Sequence, residues 1–121
     1  MNEAETRNLL IDKNLLVAGW NVDDPSMVSQ EFDVLVDLPE GVLEPRTEFE
    51  GHQFSDYVLK GKDGSPLAVV EAKRTSKDAA IGREQAKQYC YNIKKHLGGE
   101  LPFCFYTNGN EIYFWDLENA P

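Results

Sequence analysis

Apolar and polar positions along this chain change period several times, and each change marks an element. Residues 3–18 carry Leu9, Leu10, Leu15 and Leu16 at helical spacing, with Gly19 as a stop. Gln30 to Leu38 alternates as a strand, and the Pro39–Arg46 stretch follows with Pro and Gly breakers. Phe54–Leu59 and Leu67–Lys73 are two further alternating runs around Asp63-Gly64, a pair that tolerates the positive φ of a tight hairpin. From Lys77 to Leu97 the period is helical again, through Ala80, Ile81, Gln85, Gln88, Tyr89 and Ile93, and Gly98-Gly99 ends it. PFCFYT and EIYFWDL then read as aromatic-rich strands joined through Asn108-Gly109. The order α-β-β-β-α-β-β predicts an α/β fold: a mixed sheet flanked by helices, with a helix crossing from the third strand to the fourth. Residues 1–121 are expected to form a single domain.

A two-residue loop at Asp63-Gly64 pairs Lys62 with Ser65 and sets Asp56 opposite Glu71, with Cβ atoms roughly 5 Å apart. Lys73, two residues beyond Glu71, points to the same face, so the strand is expected to expose Val69, Glu71 and Lys73 and to bury Ala68, Val70 and Ala72. Two carboxylates facing across a ladder repel unless a cation lies between them. A structural alternative is an ordinary ion pair of Lys73 with either acid. As chemistry, the cluster suits magnesium, which takes one or two carboxylates with water and substrate phosphate completing its shell. Asp56 and Glu71 would supply the carboxylates and the Ala72 carbonyl a third oxygen. Lys73 would orient the attacking water or stabilise charge on the phosphate.

Charge and composition sharpen the partner rather than the fold. The net charge of −9 argues against a nucleic-acid surface as a single number. However, residues 71–95 hold seven bases against three acids, while the remainder holds five bases against eighteen acids. That basic stretch is either a solvated helix face or a surface turned to phosphate. Glu5 lies beside an apolar stripe with Asp12; it is either a first-turn acid favoured by the helix dipole or a site residue. Cys90 and Cys104 lack metal-ligand spacing and are expected as buried thiols in a reducing cytosol. His96 suits a helix C-terminus, and His52 lies in an expected loop just before Asp56. No P-loop and no nucleophile triad is present, no apolar run has the length of a membrane span, and the acidic start is the wrong sign for a targeting segment.

Asp56 followed by Glu71-x-Lys73 resembles the PD-(D/E)xK nuclease signature, with Ser55 in place of the proline. With ETRNLLIDKNLLVAGW, FSDYVL, PLAVVEAKR, the Gln85-x-x-x-Tyr89 pair and FYTNGNEIYFWD, the chain is similar over nearly its whole length to the N-terminal nuclease domain of type I restriction enzyme R subunits. The resemblance implies a restriction-endonuclease-like fold and magnesium-dependent (or manganese-dependent) cleavage of double-stranded DNA. It implies Asp56 and Glu71 as metal ligands, beside the Ala72 carbonyl that the magnesium chemistry suggests, and Lys73 as the catalytic lysine. Gln85 and Tyr89 would contact DNA backbone or orient the lysine, and Glu5 would match a first-helix acid. It further implies modification and specificity subunits as partners, a cytoplasmic location, and ATP use only in motor domains. Such motors follow the nuclease in R subunits, so a sequence ending at Pro121 is expected to be an excised fragment or a truncated homologue. A self-contained nuclease and a catalytically silent docking module of the same fold are the alternatives.

Overall fold

The structure, a computed structural model, describes residues 2–35, 37–38, 40–45, 47, 51–73 and 78–119. Arg74 and Lys77, the expected helix start at Lys77, and parts of the expected 30–38 strand and 39–46 loop lie outside the described residues. Helix α1 covers residues 3–17 in three stretches: α-helical Glu3–Thr6, π-helical Arg7–Ile11 and α-helical Asp12–Val17. Five strands form one sheet in sequence order: β1 Val28–Leu35, β2 His52–Lys60, β3 Pro66–Ala72, β4 Phe103–Thr107 and β5 Ile112–Trp115. All neighbours are antiparallel except β3 and β4, which are parallel. Parallel neighbours need a crossover. Here it contains the 3₁₀ turn Ala79–Gly82 and helix α2, Arg83–Leu97. The expected element order and the mixed sheet are what the structure holds.

Two apolar layers account for the arrangement. Ile11 and Leu15 of α1 pack on Val28, Tyr57, Leu59, Ala68, Val70 and Ala72. On the other face, Ala86, Tyr89, Cys90 and Ile93 of α2 pack on Val34, Val58, Val69 and Cys104. Residues 68–72 are therefore buried on both faces, as is usual for a strand covered by helices on two sides. The expectation that Val69 and Glu71 lie on an exposed face is corrected: α2 covers them. Cys90 and Cys104 are buried free thiols, as expected.

The tight hairpin also needs correction. Tyr57, Val58 and Leu59 pair with Val70, Val69 and Ala68 in the expected register, but Lys60 pairs with Pro66 across a register shift. The connection is therefore five residues, 61–65. Gly64 has φ 82° and its N–H donates to the Gly61 carbonyl (2.9 Å), while Asp63 Oδ1 accepts from Ser65 N–H (3.0 Å) and Oγ (2.6 Å). The core register held because a one-residue slip would have turned Val58 and Val69 into the opposite layer.

The β4–β5 turn is seated against α1. Gly109 has φ 90°, and a Cβ there would lie 2.9 Å from Leu10 Cδ1 and 3.0 Å from Thr6 Cγ2. Gly109→Ala combines a strained φ with a clash against α1, so we expect it to destabilise the chain by about 2 kcal/mol. Urea denaturation checks this; an unchanged midpoint would mean the turn is not pinned to α1.

Candidate active site

The first two site residues come from strands that diverge where the site begins. In the β1–β2 ladder, Gln30 faces Tyr57 and Phe32 faces Ser55, and the register skips Glu31 and Asp56 between them. Glu31 has φ 51°, a left-handed conformation uncommon for a non-glycine residue. Side chains an even number apart in a strand normally share a face. Here Val28 belongs to the layer under α1, whereas Phe32 and Val34 belong to that under α2. The strand thus changes faces across Glu31. On the other side, the β2–β3 pairing stops at Tyr57 and Val70, and the Ala72 N–H donates to Asp56 Oδ2 (2.8 Å).

Asp56 and Glu71 are both buried, 8% and 3% exposed. Their environments differ sharply. Asp56 has its Oδ2 bonded by Ala72 and its Oδ1 3.6 Å from Arg7 Nη1. Glu71 Oε2 is buried and, as a carboxylate oxygen, has no hydrogen-bond donor among the described residues. Burial first, then hydrogen bonding to Asp56 and that acid's charge, push the Glu71 carboxyl up to about 9, with Lys73 acting the other way and Glu3 adding to the rise. Glu71 is therefore protonated at neutral pH in the metal-free chain. A buried oxygen with no partner beside a second carboxylate is a site that a cation would complete.

Lys73 follows β3 and its N–H donates to the Thr107 carbonyl (2.8 Å), which ties it to β4. Its ammonium donates to Gln85 Oε1 (3.3 Å); Gln85 Nε2 donates to the Tyr89 hydroxyl (2.7 Å), which donates to the Phe54 carbonyl (3.2 Å). Burial and then the Glu71 charge push the Tyr89 phenol up to about 12, so it stays a donor at neutral pH. Gln85 and Tyr89, four apart on α2, thus face Lys73 as the i, i+4 spacing implies. Gly82, just before α2, makes the approach possible: a Cβ there would lie 3.3 Å from Glu71 Cγ and 3.5 Å from Lys73 Cε.

Other expected residues are placed elsewhere. Glu5 is exposed and closes a capping box with Asn2, its N–H donating to Asn2 Oδ1 (2.8 Å) and its Oε1 accepting from Asn2 N–H (3.4 Å). The first-turn acid whose charge reaches Glu71 is Glu3. His52 opens β2 instead of lying in a loop, and its Nδ1 is 2.8 Å from Asp33 Oδ1. His96 lies in the last turn of α2, with Nε2 3.7 Å from Asp37. The basic stretch is partly engaged within the chain. Lys95 pairs with Asp37 (2.6 Å), and the cations of Arg83 and Lys87 lie 5.4 and 5.2 Å from the Trp115 ring centre. Among the described residues, no group of three or more His, Cys, Asp or Glu side chains is arranged to hold a metal ion.

Three contributors escaped sequence reading: Arg7, Glu31 and Tyr57. Arg7 sits on the π-helical stretch of α1 and reaches Glu31, Gln30, Asp56 and Tyr57 at once. The Tyr57 hydroxyl in turn donates to Asp12 Oδ1 (2.5 Å). No local periodicity carries this signal, since the partners of Arg7 lie 23 to 50 residues away.

A mixed five-stranded sheet with helices on both faces, carrying two buried acids and a lysine at the parting of its strands, matches the fold of a known restriction-enzyme fragment. A solved fragment described as an HsdR subunit of a type I restriction enzyme from Vibrio vulnificus YJ016 superposes with a TM-score of 0.71 at 30% identity, over 100% of this chain and 22% of that one. The family model for the type I restriction enzyme R protein N terminus matches residues 44–121, and the chain belongs to that family. It is also 30% identical over 123 residues to the type I restriction enzyme EcoAI endonuclease subunit of Escherichia coli, covering 99% of this chain and 14% of that protein. The chain thus spans about a seventh of the curated relative it matches. No helix among the described residues is long and apolar enough to cross a membrane.

Proposed function

We propose that this chain is the metal-dependent endonuclease domain of a type I restriction–modification complex and cleaves phosphodiesters of double-stranded DNA. The observation that carries this reading is the buried Glu71 Oε2 beside Asp56, with no hydrogen-bond donor among the described residues and with Lys73 beside Glu71 at Gly82. Magnesium, with manganese as a substitute, fits this donor set: two carboxylates, and the Ala72 carbonyl as a third oxygen. In extended backbone a residue's N–H and C=O point to the same side, so the Ala72 carbonyl is directed to the side where its N–H meets Asp56. When bound, the ion would lower the pKa of a water and offset charge on the scissile phosphate.

The remaining work falls to the chain's own side chains. Lys73 would present its ammonium to the attacking water and the phosphate oxygens. Gln85 holds that ammonium by its carbonyl oxygen, and Tyr89, anchored on Phe54, fixes which way the amide points. The PD-(D/E)xK assignment rests on these residues and spacings. Partners would be DNA and the modification and specificity subunits, in the cytoplasm, with ATP spent only by motor domains.

A net charge of −9 gives the chain little electrostatic hold on DNA. We expect the isolated 121 residues to bind duplex weaker than about micromolar at physiological salt. Plasmid cleavage should require the assembled complex and magnesium, and EDTA should stop it. Gel shifts and plasmid assays on chain and complex test this. Efficient site-specific cutting by the chain alone would favour a self-contained nuclease, and an assembled complex that never cuts would favour a silent docking module.

A further inference from the structure

We propose that Arg7 is a positioning residue for the Asp56 carboxylate, standing in for the ladder rung that β1 fails to supply at Glu31. The inference rests on Asp56 being a metal ligand and adds a residue that neither ligates the ion nor touches substrate. At Asp56 the strand loses pairing on both sides: the β1 register skips it, and the β3 register ends one residue earlier. Backbone polar groups that leave a ladder inside a protein need other partners. Arg7 supplies one, with Nη2 donating to the Asp56 carbonyl (3.4 Å) while Nη1 lies 3.6 Å from its carboxylate.

The guanidinium is itself held from several directions. Nη1 donates to Glu31 Oε1 (2.5 Å), Nη2 to Gln30 Oε1 (3.3 Å) and Nε to the Tyr57 hydroxyl (3.3 Å). Its carbon lies 4.8 Å from the Tyr57 ring centre, and the Arg7 side chain is only 16% exposed. The left-handed φ of Glu31 belongs to the same device, since it breaks the rung that Arg7 replaces and supplies the oxygen that anchors Arg7. A planar five-donor fork can serve these acceptors together; a lysine cannot.

The sign of the effect separates positioning from charge. Deleting a cation 3.6 Å from a metal-binding carboxylate should, on charge alone, tighten metal binding. Loss of positioning should weaken it, by on the order of 10–100-fold for a residue that orients a ligand. The test is Mn²⁺ binding to the 121-residue chain, read by the electron paramagnetic resonance signal of free Mn²⁺, well below each variant's melting temperature. Arg7→Gln is expected to raise the Mn²⁺ dissociation constant by on the order of 10-fold or more. Arg7→Lys, which keeps the charge, should not restore it. Should Arg7→Gln fail to fold, Arg7→Lys carries the test by the same comparison. Tighter or unchanged Mn²⁺ binding, even with a lowered melting temperature, would overturn the positioning role. Asp56→Asn is measured alongside: if wild-type Mn²⁺ binding does not depend on Asp56, the metal-site reading fails and the role of Arg7 falls with it.

Discussion

Glu71→Gln is expected to stabilise the metal-free chain while abolishing cleavage, and the gain should grow with pH. The folded-state pKa of Glu71 is raised to about 9 by burial and by Asp56. In the unfolded chain the same carboxyl ionises near the ordinary glutamate value of about 4.3. Between those values the folded state binds a proton that the unfolded state releases, so stability falls as pH rises through this window. The stability that the protonated carboxyl contributes is complete below about pH 4 and lost by about pH 9, at no more than about 1.4 kcal/mol per pH unit. Glutamine carries no charge to bury at any pH. The variant should therefore come close to wild type near pH 4.5 and exceed it by up to about 5 kcal/mol at pH 8. Denaturation in EDTA at pH 5, 6.5 and 8 measures the gap. A gap that stays constant with pH, or a variant less stable at pH 8, would show that Glu71 is already ionised and satisfied in the folded chain. Magnesium should raise the melting temperature of wild type at pH 8 and leave Glu71→Gln unmoved.

The asymmetry between the two acids was not legible in the sequence, although their apposition was. Facing carboxylates at Asp56 and Glu71 follow from apolar alternation in two runs and a turn signal between them. That apposition does not depend on the loop length, because the shift at Lys60 and Pro66 falls between the turn and the core pairs. Symmetric repulsion suggests that removing either acid relieves strain. Instead Asp56 is bonded by the Ala72 N–H and approached by Arg7, and the orphaned oxygen belongs to Glu71. Which partner a carboxylate finds depends on where α1 crosses the sheet, and hydrophobic period fixes the face of a helix but not its crossing point.

Gln85 and Tyr89 show the opposite case. Their spacing guarantees a shared helix face. The crossover from β3 to β4 brings the start of α2 beside the end of β3, so the pair meets Lys73. Glu5 and Glu3 mark the boundary between these cases. Both lie in the first turn, and the capping box with Asn2 takes Glu5. Glu31 had no signal at all. Its left-handed φ occurs at a glutamate, where no glycine or asparagine announces it, in a run that otherwise alternates as a strand.

Two alanine substitutions should separate catalysis from architecture within this site. Lys73→Ala is expected to lower plasmid cleavage by the assembled complex by about 10²–10³-fold or more, as for the loss of one transition-state donor. Its stability cost should be under about 1 kcal/mol, because among the described residues the ammonium bonds Gln85 alone, at 3.3 Å. Lys73→Arg should not rescue cleavage, since a planar fork cannot occupy the place of a compact ammonium. Asp56→Ala should abolish cleavage too, but at a stability cost of about 2–4 kcal/mol, because it strips a buried acceptor from the Ala72 N–H and leaves Arg7 partly unpaired. Cleavage assays on the complex, paired with denaturation of the 121 residues in EDTA, read both axes. An Asp56→Ala chain as stable as wild type would mean that Arg7 and Ala72 do not hold this carboxylate. A Lys73→Ala complex that still cuts would remove the lysine from the chemistry and leave it as a tether for Gln85.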